Sequence, residues 1–452
     1  MKGVLEKIRP GDRDEKKLRR VAQELLSRIK EETDKIDGRL RASLLGSVSR
    51  GTWLRDEKDL DIFVFFPVEY DREALEEVVT DLGRKILRNP EKHYAEHPYV
   101  MGSYKDYEVE IVPCYAVDSP SELKSSVDRT PFHDSFVRSR IKGKEDEVRL
   151  LKQFLKGISC YGAEAKVEGF SGYLCELLVL KYGSFQEVLE EAKNWRRGVV
   201  LSLEPVKDVK KIREMFSSPL IFIDPVDSRR NVASALSVDS FSVFRYAARE
   251  YLRNPKIEFF FPRTRTARKQ RLLKLFRARG TALLAVFFPK PEVLEDVLYT
   301  QGRKALRALE NVLKSGDFRL IGSGFFVRDG ICMLFELESM VIPALRLHIG
   351  PLDNPHHEDR FLRKYRSYRD KITEPFIRDG RWAIYLRRSH TRADKYLLGF
   401  LSSGDLRRRG IPSYIAKSIE ERFQLRTNED VFRREFLRDM QDFLDPRFPW
   451  EV

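Results

Sequence analysis

Gly46-Ser47-Val48-Ser49-Arg50-Gly51-Thr52-Trp53, running on to Asp59-Leu60-Asp61-Ile62-Phe63-Val64-Phe65-Phe66-Pro67, is the stretch whose reading decides the fold. A Gly-Ser turn precedes a strand that carries carboxylates at alternate positions. In a strand, side chains at i and i+2 share a face roughly 7 Å apart. Asp59 and Asp61 therefore converge, while Leu60, Ile62 and Val64 face the other side. Backbone N–H groups at such a turn bind phosphate, and carboxylate oxygens suit magnesium. The parts are those needed to hold a nucleoside triphosphate with Mg2+. A lone D-x-D is common, so the turn before it and the apolar run after it carry the reading.

Working outward, Leu40 to Leu45 reads as the strand delivering the Gly-Ser turn, and Tyr99 to Val117 as a hairpin turning near Lys105-Asp106. In the second arm Glu108 and Glu110 share a face, with Val109 and Ile111 opposite. A two-metal site needs a third carboxylate from a neighbouring strand. Glu110, beside the apolar Ile111-Val112-Pro113-Cys114, is the choice. Two amphipathic helices flank these strands. One has Asp12 as N-cap and Glu15 closing a capping box, then Leu18, Val21, Ala22, Leu25, Leu26 and Ile29 at helical spacing. The other runs from Arg72 to Arg88.

A chain of 452 residues predicts about three domains with ample core. Lys and Arg outnumber Asp and Glu by 84 to 70, which favours a polyanionic partner. Cys114, Cys160, Cys175 and Cys332 form no C-x-x-C pair, so neither a disulfide framework nor a zinc site is expected. They fit a reducing compartment, and with no apolar h-region after Met1 the expectation is a cytoplasmic protein. No apolar run reaches the roughly 18 residues of a membrane span. His93 and His97 stand at i, i+4, but the order is not H-E-x-x-H and Pro98 disfavours continued helix, so no zinc is expected there either.

The order G-S-x-x-x-G-T, D-x-D, apolar run resembles the nucleotidyltransferase superfamily of polymerase-β type. Further motifs narrow the resemblance. Arg129-Thr130-Pro131-Phe132-His133, Glu147 to Lys152, Tyr161 to Glu164, Gly169 to Val179 and Asp224 to Ala233 together resemble the archaeal (class I) CCA-adding enzyme family, the tRNA nucleotidyltransferases. Tyr94-Ala95-Glu96-His97-Pro98-Tyr99-Val100 fits the same pattern. The resemblance is detailed over about residues 40–240 and continues in pattern to the C-terminus.

That resemblance implies template-independent addition of C, C and A to the 3′ end of tRNA from CTP and ATP, by two-metal nucleotidyl transfer releasing pyrophosphate. It implies Mg2+ on Asp59, Asp61 and Glu110, although the family's third position is usually aspartate. It places triphosphate and sugar contacts on Gly46, Ser47, Arg50, His133, Lys152 and Tyr161, and base reading on Arg230, with Arg229 as its neighbour. The residue chemistry agrees: Arg and Lys neutralise phosphate, His133 can donate to it, and Tyr161 can stack or hydrogen-bond. The acceptor and T arms of tRNA are the expected partner, with a homodimer left open. A poly(A)-polymerase or oligoadenylate-synthetase-like activity shares the same catalytic parts and is the alternative. A non-catalytic RNA-binding protein would be marked by loss of the acids, and all three are present.

The expected architecture is α+β and multidomain. A polymerase-β-like nucleotidyltransferase head spans 1–143, a helical neck for base recognition 144–255, an RRM-like body 256–350 and a tRNA-binding tail 351–452. In the neck, helices are read from Val148, from Leu174 and over Asn231 to Leu252. Beyond it, Arg263, Arg265, Arg268, Lys269, Arg271, Lys274, Arg277 and Arg279 occur without an acid. A helix there would be positive on most faces and suited to tracking phosphate. Thr281 to Pro289, Gln301 to Lys314, Phe318 to Val327 and Ile331 to Leu337 give a β-α-β-β order with RRM or ferredoxin-like character. His356-His357 reads as loop, Arg381 to Arg387 as a strand and Arg407-Arg408-Arg409 as a further basic cluster.

Overall fold

The computed structural model describes residues 1–94, 98–352 and 355–451. The Ala95-Glu96-His97 part of the histidine motif lies outside the described residues. The chain divides into two compact units, Met1–Thr264 with Phe448–Val452, and Arg265–Arg447.

The first unit begins with α1 (Lys2–Ile8), α2 (Asp12–Asp34), β1 (Arg41–Leu45), α3 (Gly46–Ser49), β2 (Asp59–Phe66), α4 (Arg72–Ile86), β3 (Arg88–Tyr94), β4 (Pro98–Tyr104) and β5 (Tyr107–Tyr115). The strands form one sheet in the order β1-β2-β5-β4-β3. Strand β2 lies between β1, to which it is antiparallel, and β5, to which it is parallel. Its Leu60, Ile62, Val64 and Phe66 join Val109 and Ile111 of β5 in a core sealed by Leu18, Val21, Leu25 and Ile29 of α2 and Leu75, Val79 and Leu82 of α4. One face of the sheet is thus closed by two helices, which leaves the other for the carboxylates. The α2 cap differs from expectation by one residue: Gly11 is the N-cap, and Asp14 Oδ2 accepts from its N–H at 3.1 Å. Asp12 becomes the first helical residue, where its charge favours the dipole.

The chain continues through α5 (Thr130–Arg138), α6 (Glu145–Gly157), α7 (Gly172–Tyr182), α8 (Phe185–Ala192), β6 (Val199–Leu201), α9 (Val209–Met215), β7 (Leu220–Phe222) and α10 (Val238–Arg253). A second core gathers Leu151, Phe154, Leu174, Leu178, Phe185, Leu189 and Phe244. Trp450 joins this core, stacked on Phe259 with centroids 5.0 Å apart, and Phe448 meets Tyr246 at 4.9 Å. The last helix starts at Val238, later than expected. Asn231 Oδ1 accepts from Phe222 N–H and its amide donates to Leu220 O, which holds the preceding segment against β7 as a loop.

The second unit contains α11 (Lys269–Arg279), β8 (Ala282–Pro289), α12 (Glu295–Ser315), β9 (Leu320–Val327), β10 (Gly330–Leu337), β11 (Leu345–Leu352), α13 (Pro355–Arg366), β12 (Phe376–Arg378), β13 (Arg381–Arg387), α14 (Ala393–Leu401), α15 (Ser413–Glu421), β14 (Gln424–Thr427) and α16 (Leu437–Leu444). Strands β14-β8-β10-β9 form an antiparallel sheet in that order. Helices α12, α14 and α15 cover one face, and α11 and α16 the other. Strand β8 is buried on both faces, which explains its unbroken apolar run Ala282 to Phe288. A separate sheet, β11-β13-β12, has Phe361 and Tyr365 of α13 packed on Ile384 and Leu386.

Three expectations change here. The division at residue 350 cuts a sheet whose edge strand β14 comes from Gln424–Thr427, so body and tail are interleaved in sequence. His356-His357 falls in the first turn of α13 and not in a loop. The basic stretch is no free cationic helix. Arg265 and Arg271 pair with Asp445, Arg277 with Glu429 and Arg279 with the buried Glu336. Arg268, Lys269 and Lys274 remain exposed there.

Candidate functional site

Strands β2 and β5 run parallel with Asp59 opposite Glu108 and Asp61 opposite Glu110. Partners in a parallel ladder point to the same face, so the expected trio comes together with Glu108 as an exposed fourth acid. The cost of gathering them is visible in their acidities. Burial, then the charges of Asp61, Asp59 and Glu108, push Glu110 up to about 7. Burial raises Asp61 to about 6, with Asp59 adding to it and Arg50 and Lys152 opposing it. Asp59 is raised as well, by burial and then by Glu57 and Glu108. Carboxylates pressed together this way favour a bound cation as the alternative to a proton.

Turn geometry completes this edge. Gly46 adopts φ +78°, and a Cβ there would overlap Asp61 Oδ2. Glycine is therefore required both by the left-handed backbone and by the close approach of the carboxylate. Ser47 follows in α3, half-buried, and its carbonyl accepts from Thr52 N–H at 2.9 Å.

Arg50 is placed differently from expectation. Its side chain is 9% exposed, with Nε donating to Glu176 Oε1 at 2.9 Å and Nη1 to Asp134 Oδ1 at 3.0 Å. Thr52 Oγ1 donates to the same Glu176 oxygen, and Ser49 Oγ to Asp134. The guanidinium is thus a clamp between the turn and helices α5 and α7. Glu176 Oε2 is buried without a partner. Lys152 is 1% exposed and donates to Thr52 O at 3.1 Å. Tyr161 stands beside it: a Cβ built on Gly172 would lie 3.2 Å from Tyr161 Oη and 3.6 Å from Lys152 Nζ. Burial raises the Tyr161 phenol well above its usual range, so it acts as a neutral donor.

His133, Tyr173 and Arg230 meet at another buried acid, Asp224. His133 Nε2 lies 2.9 Å from Asp224 Oδ2, and Arg230 Nη1 donates to that oxygen at 2.8 Å. The Arg230 side chain is 34% exposed, whereas Arg229 is 87% exposed and turned to Asp227. Of the two arginines, Arg230 is the one held at Asp224.

Glu176, Asp134, Thr52 and Asp224 are the residues that sequence reasoning assigned no role. Glu176 carried a signal, a lone acid inside the apolar run Leu174 to Leu180. Asp134 adjoins one assigned motif and Asp224 opens another, but nothing local shows which cation each one holds.

Asp59, Asp61 and Glu110 offer only oxygen donors, the set magnesium takes. Among the described residues, no group of three or more His, Cys, Asp or Glu side chains is placed to hold a metal ion by itself. Mg2+ sites ordinarily use one or two carboxylates and complete the shell with water and substrate phosphate. The local balance agrees, since an acid-lined edge repels a triphosphate unless cations bind with it.

Comparison with known proteins follows the same lines. Family models match at residues 26–133 (nucleotidyltransferase domain), 146–261 (tRNA nucleotidyltransferase, second domain) and 279–428 (CCA-adding enzyme, C-terminal domain). The CCA-adding enzyme of Methanosarcina barkeri is 38% identical, over 95% of this chain and 94% of its own. That of Archaeoglobus fulgidus is 37% identical over the same shares. That of Methanocaldococcus jannaschii is 37% identical over 92% and 93%. A solved Cid1 poly(U) polymerase is 14% identical with a TM-score of 0.47, covering 56% of this chain and 93% of that one. Among the described residues no helix is long and apolar enough to cross a membrane.

Proposed function

The chain belongs to the archaeal CCA-adding enzyme family, and from that premise we propose how its own residues divide the work of completing a tRNA 3′ end. The reaction is nucleotidyl transfer that adds C, C and A to tRNA. The observation that supports the assignment is the β2–β5 register, which sets Asp61 against Glu110 beside the Gly46 turn, with Asp59 two residues along the same strand face. Asp59, Asp61 and Glu110 are the residues that would hold Mg2+, which would supply positive charge to offset the phosphates and to acidify an attacking hydroxyl. Ser47, Lys152, Tyr161 and His133 receive the triphosphate and sugar of CTP or ATP. Arg50 contributes charge and keeps the turn in place through Asp134 and Glu176. Arg230 reads the base edge: its fork donates to cytosine O2 and N3 or to adenine N1. It cannot pair with the N3–H of uracil or the N1–H of guanine.

The second unit receives the acceptor and T arms of tRNA. Support for an RNA-binding module comes from its strand order, β14-β8-β10-β9 with helices between, which is that of a ferredoxin-like or RRM sheet. The test is product length on tRNA lacking its 3′ end, with Mg2+ and each nucleotide alone and in mixtures. CTP alone should give C-C, CTP with ATP should give C-C-A, and UTP and GTP should be added far more slowly than either. A long tail from ATP alone would overturn the assignment in favour of a poly(A)-polymerase-like activity.

A further inference from the structure

Asp224 lies between the residues assigned to phosphate and those assigned to base, yet has no role of its own. It is 1% exposed. Its Oδ2 takes the Arg230 Nη1 hydrogen bond at 2.8 Å and meets His133 Nε2 at 2.9 Å. Its Oδ1 accepts from Val226 N–H at 2.9 Å and from Tyr173 Oη at 3.3 Å. The Tyr173 ring in turn stacks on His133, with centroids 4.3 Å apart. The loop that carries Arg230 closes back on the same residue, since Asp224 N–H donates to Arg230 O at 3.1 Å. Burial pushes the Asp224 carboxyl up, but the hydrogen bonds from His133, Val226 and Arg230 outweigh it and hold the group down at about 2. The carboxylate is therefore ionised at any working pH. An arginine on a loop is otherwise free to choose among rotamers, and charge-assisted bonding to a fixed acceptor removes that freedom.

We propose that Asp224 is a positioning residue for base selection: one buried carboxylate sets both the Arg230 fork and the His133 ring, so that triphosphate and base are read from a single rigid frame. The proposal rests on the roles given above to Arg230 and His133. It has a consequence that a purely structural Asp224 lacks. Disturbing His133, on the phosphate side, should change which base is accepted, although His133 need not touch the base.

The experiment measures kcat and KM for single addition of CTP and of UTP to tRNA ending before C, C and A. It compares the wild type with Asp224→Asn, His133→Gln, Arg230→Ala and the Asp224→Asn/Arg230→Ala double variant, each checked by thermal melting. Asp224→Asn should lower the CTP-over-UTP ratio of kcat/KM about tenfold, the loss expected when a recognising donor is left unaligned. His133→Gln should move the ratio the same way. A phosphate contact alone would raise KM for both nucleotides equally. In the Arg230→Ala background, Asp224→Asn should change the ratio by less than about twofold, because coupled residues are not additive. A folded Asp224→Asn variant with the wild-type ratio overturns the proposal, as do independent, multiplying effects in the double variant. If Asp224→Asn does not fold, His133→Gln decides: a lowered ratio supports the proposal and an unchanged one overturns it. Failure of the underlying reading looks different. The wild type then adds no C, or Arg230→Ala keeps the wild-type ratio.

Discussion

Replacing Glu110 with glutamine should stabilise the metal-free protein at pH 8 while leaving its stability at pH 4 nearly unchanged. Glu110 titrates near 7 in the folded protein against an ordinary 4.5, because burial and the Asp61, Asp59 and Glu108 charges disfavour its ionised form. The sign follows from linkage. Between pH 4.5 and 7 the folded state keeps a proton that the unfolded state has released, so stability falls as pH rises through that window. At 1.36 kcal/mol per pH unit the loss is about 3 kcal/mol, nearer 2 if part of it belongs jointly to Asp61. A glutamine has nothing to ionise and escapes the loss. Thermal melting of both proteins in chelator, from pH 4 to pH 8, reads this as a difference curve rising by about 5 °C across the window. Excess Mg2+ at pH 8 should then raise the melting point of the wild type more than that of the variant, since ligand binding to the folded state stabilises it. A flat difference curve would mean that Glu110 is not pressed against the other acids.

Three further outcomes are expected. Gly46→Ala forces a side chain into Asp61 at a backbone conformation of φ +78°. It should lower kcat at least about a hundredfold while costing about 1–3 kcal/mol of stability by denaturant unfolding; wild-type turnover would refute the close approach. Binding of a minihelix of acceptor and T arms should weaken with salt at roughly −0.7 to −0.9 in log–log slope per phosphate contact. Within the basic stretch, charge removal at Arg268, Lys269 and Lys274 should reduce the slope more cleanly than removal of the paired Arg265 or Arg279, whose loss also leaves Asp445 or Glu336 without its partner. Equal behaviour of the two sets would show that the internal pairing does not restrain those arginines. Arg230→Ala should raise the share of UTP in a four-nucleotide competition by about tenfold or more, whereas Arg229→Ala, exposed and turned to Asp227, should leave it unchanged.

The period-2 and period-3.6 patterns carried much of the head. Alternation placed Asp59 with Asp61 and Glu108 with Glu110, and the apolar spacing of α2 and α4 identified the helices that cover the opposite face. What stayed hidden were pairings over long sequence distance. The environment of Arg50 depends on Asp134 and Glu176, 84 and 126 residues away, and no local pattern connects them. The basic stretch misled for the same reason: its counter-charges Glu336, Glu429 and Asp445 lie far along the chain. Pattern alone starts helix α10 too early, because Asn231 is helix-compatible as a residue type and its bonds to β7 are not visible in the sequence. Arg230 and Arg229 were indistinguishable as adjacent letters, and the buried Asp224 separates them.

The packing of Trp450 on Phe259 and of Phe448 against Tyr246 has a consequence for how this protein is made. All of Arg265–Arg447 lies between those partners in sequence. Chains emerge from the ribosome N-terminal end first, at about 5–20 residues per second. The helical core can therefore begin to assemble early but waits roughly ten to forty seconds for its final aromatic residues. During that interval Phe259 and Tyr246 lack their C-terminal aromatic partners, while the whole second unit is synthesised. Messages cut short within the second unit would yield a protein with every assigned site residue present and an aromatic gap behind them, a natural target for quality control by proteolysis.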